Sequence, residues 1–137
     1  MENLENGKPV KRYLNDEFLE LRASENYNSL SALFSGFFIT DGLKYVIDKL
    51  GLRWFIDTVL SYQGNEEVKA ITFQIWTLER IRTGGKAGQW RVVLYLNNIP
   101  VIKQLFSTIS LEDNYEEKFD IFKIYLSDNV LFLPSED

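Results

Sequence analysis

The chain has 137 residues, of which 45% are hydrophobic and 15% aromatic, the size and composition of one globular domain. It has no cysteine and no histidine, which excludes a disulfide framework, a thiolate nucleophile, a zinc–thiolate site and the commonest general base. The net charge of −5 comes from the end of the chain, since residues 112–137 carry 2 basic and 8 acidic side chains against 13 and 12 in residues 1–111.

The N-terminal residues 1–12 are polar and lack the apolar stretch of a signal peptide. We therefore predict a flexible N-terminus at 1–12, a single domain over 13–137 and a cytoplasmic location. No apolar run approaches the ~20 residues that a membrane-spanning helix needs. Leu14, Phe18 and Leu21 recur at helical spacing and predict a short helix over 16–23, followed by a loop rich in Ser and Asn.

The next segment begins with two good N-cap residues, Thr40 and Asp41. Two apolar stripes of helical spacing follow, and they differ in phase on either side of Gly51. The first stripe is Leu43, Val46, Ile47 and Leu50, and the second is Leu52, Phe55, Ile56 and Val59. Glycine adopts the left-handed conformation that ends a helix, so we predict a helix end or a strong kink at or beside Gly51.

After Gly64 the apolar period changes to two, which is typical of strands. Ile71, Phe73 and Ile75 are predicted to form the apolar face of a half-buried strand. Trp76 then makes the other face apolar as well, so that either both faces are covered or Trp76 lies on a binding surface.

Two further strands, over 90–96 and 99–109, complete a predicted antiparallel meander. A glycine-rich loop at 83–88 joins the first two strands, and the pair Asn97-Asn98 is suited to a two-residue primed turn. That turn would place Leu96 opposite Ile99, Leu94 opposite Val101 and Val92 opposite Lys103.

Residues 112–118 are predicted to form an acidic loop, and 119–126 a short buried helix because they are apolar nearly all round. Residues 130–133 are predicted to be a buried extended tail. The grouped order of elements indicates the α+β class. The predicted architecture is an N-terminal helix and a broken central helix packed on a small antiparallel three-stranded meander, followed by a short helix and an extended C-terminal tail.

Several blocks of residues together carry a resemblance to a known family: Thr40-Asp41-Gly42-Leu43-Lys44-Tyr45, Trp54, Ile56-Asp57, Ser61, Gln63, Phe73-Gln74-Ile75-Trp76, Lys123-Ile124-Tyr125-Leu126 and Val130-Leu131-Phe132-Leu133-Pro134-Ser135-Glu136. In these blocks the chain resembles a family of uncharacterised small bacterial proteins, a domain of unknown function often carried on mobile elements. The resemblance covers about 14–137 and departs from the family at the Arg-rich hairpin. It implies the order of elements and a bacterial or phage-like origin, and it supplies no activity or catalytic residue.

One candidate site lies on the second predicted helix. Trp54, Asp57 and Ser61 share a helical face, and Gln63 follows close behind. With Trp76, these groups could hold a small polar ligand or a partner peptide. The alternative is simple packing, with Trp54 under the sheet and Asp57 paired with a neighbouring cation.

The second candidate is the basic hairpin, where Arg80, Arg82, Lys86 and Arg91 surround three glycines. Glycine-loop amides and guanidinium groups can bind a phosphate. The hairpin lacks the spacing and the following helix of a P-loop, and the alternative is a solvated turn. The acidic residues of 112–117 lack the EF-hand pattern, so no metal site is predicted.

Without His or Cys the chain cannot form a conventional catalytic triad, and we predict that it is not an enzyme and uses no cofactor. The leading hypothesis is a non-enzymatic protein–protein interaction or regulatory module, for example an anti-defence inhibitor carried by a phage or plasmid. Its partner would be another protein, with neither membrane nor nucleic acid involved. The alternative is a small-molecule or nucleotide-binding domain that uses Trp54, Asp57 and the basic hairpin.

Overall fold

A computed structural model describes residues 4–5, 8–9, 11–19, 27–29, 36–83, 86–107 and 109–137. Short 3-10 helices occur within these ranges at Leu14–Phe18, Tyr62–Gly64, Glu112–Glu117 and Pro134–Glu136. The other elements are β1 (Leu4–Glu5), β2 (Lys8–Pro9), β3 (Tyr27–Ser29), β4 (Phe38–Thr40), α1 (Asp41–Leu50), α2 (Arg53–Ser61), α3 (Glu66–Lys69), β5 (Phe73–Thr83), β6 (Lys86–Leu96), β7 (Ile99–Phe106), β8 (Ile121–Ser127) and β9 (Val130–Phe132).

The main sheet has seven strands in the order β3-β4-β9-β8-β5-β6-β7, and β1 and β2 pair separately. Its strands are antiparallel except for the parallel pair β4 and β9. The α+β class is therefore confirmed, and the meander β5-β6-β7 is present. The prediction of a three-stranded sheet was wrong, because the meander is one side of a larger mixed sheet.

The hydrophobic core lies between the helices and one face of this sheet. Helices α1 and α2 contribute side chains such as Leu43 and Phe55, and the sheet contributes Trp76, Trp90 and Phe122. The two other helical segments with buried apolar residues, Leu14–Phe18 and α3, join the same cluster. All of the described helical layer is thus on one side of the sheet.

The predicted break at Gly51 is confirmed. Gly51 has a φ of 76°, and its amide and that of Leu52 both donate to the Ile47 carbonyl at 3.0 Å. This is the glycine-terminated end that satisfies otherwise unpaired helix carbonyls. At the other end of α1, the Thr40 side chain accepts a hydrogen bond from the Leu43 amide, as an N-cap does.

The predicted helix over 119–126 was wrong, since this segment forms strand β8. Its apolar character on both sides has a simple cause: β8 lies inside the sheet between β5 and β9. Phe122, Ile124 and Leu126 face the helices, while Ile121 is buried on the opposite face. A short apolar run cannot be assigned to helix or strand from periodicity alone.

Strand β5 presents to the helices the face opposite to the one predicted. Gln74, Trp76 and Leu78 are buried there, whereas Phe73 is exposed and Ile75 half-buried. Burying Trp76 and Leu78 removes more apolar area from water than burying Phe73 and Ile75 would, and this difference decides which face of β5 packs against the helices.

The primed turn at Asn97-Asn98 is confirmed, with φ of 52° and 65°. Leu96 lies opposite Ile99 as predicted, but Leu94 lies opposite Ile102 because the register shifts after Tyr95–Pro100. The predicted pairs Leu94–Val101 and Val92–Lys103 were therefore wrong. Such a β-bulge moves every later side chain of β7 to the other face, and it was not visible in the alternation of the sequence.

The ends of the chain are partly described. The helix predicted over 16–23 appears as the 3-10 segment Leu14–Phe18, and 20–23 lie outside the described residues. The flexible N-terminus predicted over 1–12 also lies partly outside them, but Arg12 is bound to Asp120 through its amide and its guanidinium group. The tail is buried as predicted at Leu131 and Leu133, whereas Val130 and Phe132 are only half-buried. Its strand β9 is inserted between β4 and β8.

Candidate functional site

The face of α2 on which a site was predicted is occupied by internal contacts. The half-buried Trp54 ring packs 5.1 Å from that of Phe106 on β7. Asp57 pairs at 3.1 Å with Arg53 one turn earlier, and the Ser61 hydroxyl donates to the Thr58 carbonyl. These residues lie on one helix, as predicted, and each already has a structural contact.

Gln63 and Trp76 belong to a buried hydrogen-bond network centred on Gln74. The side-chain amides of Gln63 and Gln74 donate to each other at 2.8 and 2.9 Å, and the Trp76 indole donates to Gln74 Oε1 at 2.8 Å. Because buried polar groups must be hydrogen-bonded, this network fixes the 3-10 segment Tyr62–Gly64, which follows α2, against β5. Trp76 is fully buried and does not lie on a surface.

The predicted phosphate-binding group does not converge on one place. Arg80 lies on the helix side, where it donates to Asp120 and to the Phe119 carbonyl and stacks over Trp90. Arg91 lies on the opposite face, paired at 2.9 Å with Glu79. Arg82 and Lys86 lie in the paired part of the hairpin, and their side chains are outside the described residues.

The face of the sheet opposite the helices, called here the open face, was not predicted as a site. Val93 and Ile121 are buried on it, but neither belongs to the core that the helices share. None of the helices in the described ranges packs on this face. The signal was present in the sequence, because β5 is apolar on both sides and something must therefore contact each side.

The centre of the open face contains a buried carboxylate. Glu79 accepts hydrogen bonds from Thr77 at 2.8 Å, Tyr95 at 2.5 Å and Arg91 at 3.0 Å. Burial by itself would raise the pKa of Glu79, but these three donors outweigh it and lower that pKa. Burial and the bond to Glu79 raise the pKa of Tyr95 to about 12. The carboxylate is therefore fully partnered within the chain.

Aromatic rings flank one side of the open face. The rings of Phe73, Tyr125 and Phe132 contact one another, with centroids 4.9 to 6.2 Å apart. Phe73 is 40% exposed, and Phe38 on the neighbouring strand β4 is 38% exposed. This is a cluster of large apolar side chains on the surface.

Strand β7 forms the other edge of the open face. Along this strand exposure alternates from Val101 onward, and Val101 and Leu105 are 48% and 69% exposed. Lys103 lies between them and is also exposed. The pairing register of the strands places three basic side chains on the open face, Lys103, Arg91 and Lys123. Among the described residues, the acidic side chain on this face is Glu79. The open face is thus apolar, aromatic and basic.

Two further findings concern metal binding and membrane-spanning helices. Within the ranges described, no three acidic side chains are grouped so that they could hold a metal ion. The helices of those ranges are also too short or too polar to cross a membrane.

The motif blocks at the two ends of the domain meet at the start of α1. Glu136 Oε1 accepts from the Thr40 hydroxyl at 2.7 Å and from the Leu133 amide at 2.9 Å. A Cβ atom on Gly42 would lie 2.7 Å from Glu136 Oε2, so the glycine leaves room for the carboxylate. A carboxylate at this helix end is also favoured by the unpaired amides of the first turn.

A family model described as a family of unknown function, DUF6876, matches residues 12–137, which is most of the chain. No curated protein and no solved structure matches the chain.

Proposed function

Because the chain belongs to the DUF6876 family of unknown function, we propose a function from its geometry: it is a non-enzymatic module that binds another protein through the open face of its sheet. The resemblance to an uncharacterised family is confirmed by the family match. The observation that carries the proposal is the pair of exposed apolar groups at the two sides of the open face, Phe73 and Phe38 on one side and Val101 and Leu105 on the other, around a buried centre.

The physical argument concerns what normally covers a sheet. An antiparallel sheet with one solvated face usually shows polar residues on that face. Here the open face carries Phe73, Val101 and Leu105, each well exposed. Exposed apolar surface rimmed by polar residues marks interaction sites, and its burial by a partner would supply the main driving force of association.

The charge of the open face indicates the chemistry of the partner. Among the described residues, Lys103, Lys123 and Arg91 share this face with one acid, Glu79, which is already paired with Arg91. Complementary potentials favour specific association, so the partner surface is apolar and acidic. A regulatory role, such as inhibition of a host defence protein, belongs to the same proposal, since binding alone is enough for inhibition.

The alternative, a small-molecule or nucleotide site built from Trp54, Asp57 and the basic hairpin, has less support. Asp57 is paired with Arg53, and Arg80 is engaged by Asp120 and Trp90. A ligand would have to break these contacts before it could bind.

Affinity capture from the native host tests the proposal. The wild-type chain is compared with Leu105→Glu, which places an acid on the open face, and with Tyr45→Glu. Tyr45 is a matched control, since it is 52% exposed but lies on α1 in the helical layer. We expect the same partner to be captured by wild type and by Tyr45→Glu and lost with Leu105→Glu. Capture that survives Leu105→Glu and is lost with Tyr45→Glu would refute the proposal.

A further inference from the structure

We propose that β7 binds an extended acidic segment of the partner as an added strand, with a carboxylate of that segment opposite Lys103. This inference rests on the proposed function and adds to it the conformation and the charge pattern of the partner. Three features of β7 carry it: its place in the sheet, its alternating exposure and its single charge.

Strand β7 is the last strand of the sheet on its side, so its outer backbone edge has no strand partner among the described residues. It spans Ile99–Phe106, a length of 8 residues, which is longer than the commonest strand length. The unpaired N–H and C=O groups of an edge strand are a template for another extended chain. Several peptide-binding domains use such an edge to add a strand.

The side chains of β7 define what that strand must look like. From Val101 to Phe106 exposure alternates strictly, so that Val101, Lys103 and Leu105 point away from the core side. Residues directly opposite in neighbouring strands have Cβ atoms about 4.5–5.5 Å apart and pair by chemistry. The complementary strand therefore has apolar, acidic and apolar residues at every second position.

The charge of Lys103 is available for such a pair. The ion pairs found in the described part of the chain do not include Lys103. Its neighbours on the same side of the strand, Val101 and Leu105, are apolar, so an incoming carboxylate would meet one cation between two apolar contacts.

A second copy of this chain fits the edge poorly. The antiparallel register that pairs Val101 of one copy with Leu105 of another puts the two Lys103 side chains directly opposite each other. Like charges in that position destabilise a sheet. Pro100 and the adjacent β-bulge also interrupt the other half of the strand, and both are devices that limit edge-to-edge association. A heterologous acidic strand avoids the charge repulsion at Lys103, and it pairs with the half of β7 beyond the bulge, 102–106.

The test uses fluorescence anisotropy of a labelled ten-residue peptide in which valine, glutamate and valine alternate with threonine. Two further peptides are measured: one with lysine in place of glutamate, and one with the glutamate peptide's composition scrambled. Each is titrated with the wild-type chain, with Lys103→Glu and with Lys69→Glu. Lys69 is exposed on α3 in the helical layer, which makes it the matched control.

A cross-strand charge pair contributes roughly 0.2–1 kcal/mol, and like charges cost a similar amount. Because the substitution both removes the favourable pair and creates a like-charge pair, we expect Lys103→Glu to weaken binding of the glutamate peptide by about two- to thirtyfold and to strengthen binding of the lysine peptide by a similar factor. Lys69→Glu should leave both affinities unchanged. Bound peptide should also slow hydrogen exchange of β7 amides, because an added strand accepts their hydrogen bonds.

Equal affinity for the glutamate, lysine and scrambled peptides would overturn the inference, and so would a peptide preference that Lys103→Glu does not reverse. A dimer of the wild-type chain that Lys103→Ala strengthens, by removing the repulsion between the two Lys103 side chains, would place a second copy on this edge instead and would also overturn the inference. Failure here is separable from failure of the proposed function: if capture from the host still depends on Leu105, the open face binds a protein by another mode.

Discussion

Replacing Gly42 by alanine should destabilise the protein, although alanine is the better helix former. The new methyl group would lie 2.7 Å from Glu136 Oε2 and 3.0 Å from its Cδ. Real Cβ contacts are not this close, so the Glu136 side chain must move. When it moves, it loses its hydrogen bonds to the Thr40 hydroxyl and the Leu133 amide.

The magnitude follows from those two bonds. A hydrogen bond to a charged group contributes about 1.5–3 kcal/mol, so losing both costs about 3–6 kcal/mol. The helix propensity of alanine over glycine returns about 1 kcal/mol. We therefore expect Gly42→Ala to lower the free energy of unfolding by about 2–5 kcal/mol, measured by urea denaturation.

A double-mutant cycle and a control isolate the cause. In the background of Glu136→Ala the clash is absent, so Gly42→Ala should be neutral or stabilising by up to about 1 kcal/mol. Gly64→Ala is the matched control, because nothing lies within 4 Å of a Cβ built there. Equal destabilisation by Gly42→Ala with and without Glu136 would show that the contact with the C-terminal carboxylate is not the reason for the glycine.

Three further predictions concern other contacts. Arg80→Ala should cost about 1.5–3 kcal/mol, because it removes a hydrogen bond to the nearly buried Asp120, which keeps its contacts with Arg12. Arg53→Ala, which breaks an exposed pair on α2, should cost at most about 0.5 kcal/mol in the same urea assay, and equal losses would contradict the assignment of Arg80 to the interior. In the folded protein the pKa of Tyr95 is raised to about 12, from the ordinary tyrosine value of about 10, so the neutral hydroxyl stabilises the folded state. This stabilisation is complete below pH about 10 and is lost as the pH rises through about 12. Stability measured between those pH values should therefore fall less for Tyr95→Phe than for wild type, and parallel curves would refute the pairing of Tyr95 with Glu79. Deleting residues 130–137 should cost several kcal/mol, because each fully buried leucine contributes about 1.5–3 kcal/mol and the deletion removes two; an unchanged melting temperature would show that the tail is not part of the core.

Local signals predicted the helical half of the fold well. The Thr40 cap, the stripe of α1 and the glycine break at Gly51 are read from contacts within a few residues, and each is present as predicted. The primed turn at Asn97-Asn98 is of the same kind, because two residues of positive φ decide it.

Features set by distant partners were not predictable in this way. The segment of β8 resembles a buried helix until β5 and β9 are known to flank it. The bulge in β7 depends on how Pro100 meets Tyr95 across the hairpin, and no alternation in the sequence records it. Arg80 was predicted to lie in a basic hairpin, either at a phosphate site or in a solvated turn, but it pairs with Asp120, the residue that precedes β8.

The candidate site was missed for the same reason. Trp54, Asp57 and Gln63 are residue types that often form sites, yet packing and pairing account for each of them. The open face is a property of the whole sheet, since it exists only because every described helical segment lies on the other side. The double-sided apolar pattern of β5 was its one local sign.

The central claim, that the partner binds the open face, is tested most directly by photo-crosslinking in the native host. A photoreactive amino acid is placed at position 105 on the open face or at position 45 in the helical layer, and adducts are identified by mass spectrometry. The account predicts one dominant protein adduct from position 105, reduced in yield by Lys103→Glu in the same chain, and none of that protein from position 45. The same partner crosslinked from position 45 but not from position 105 would contradict it.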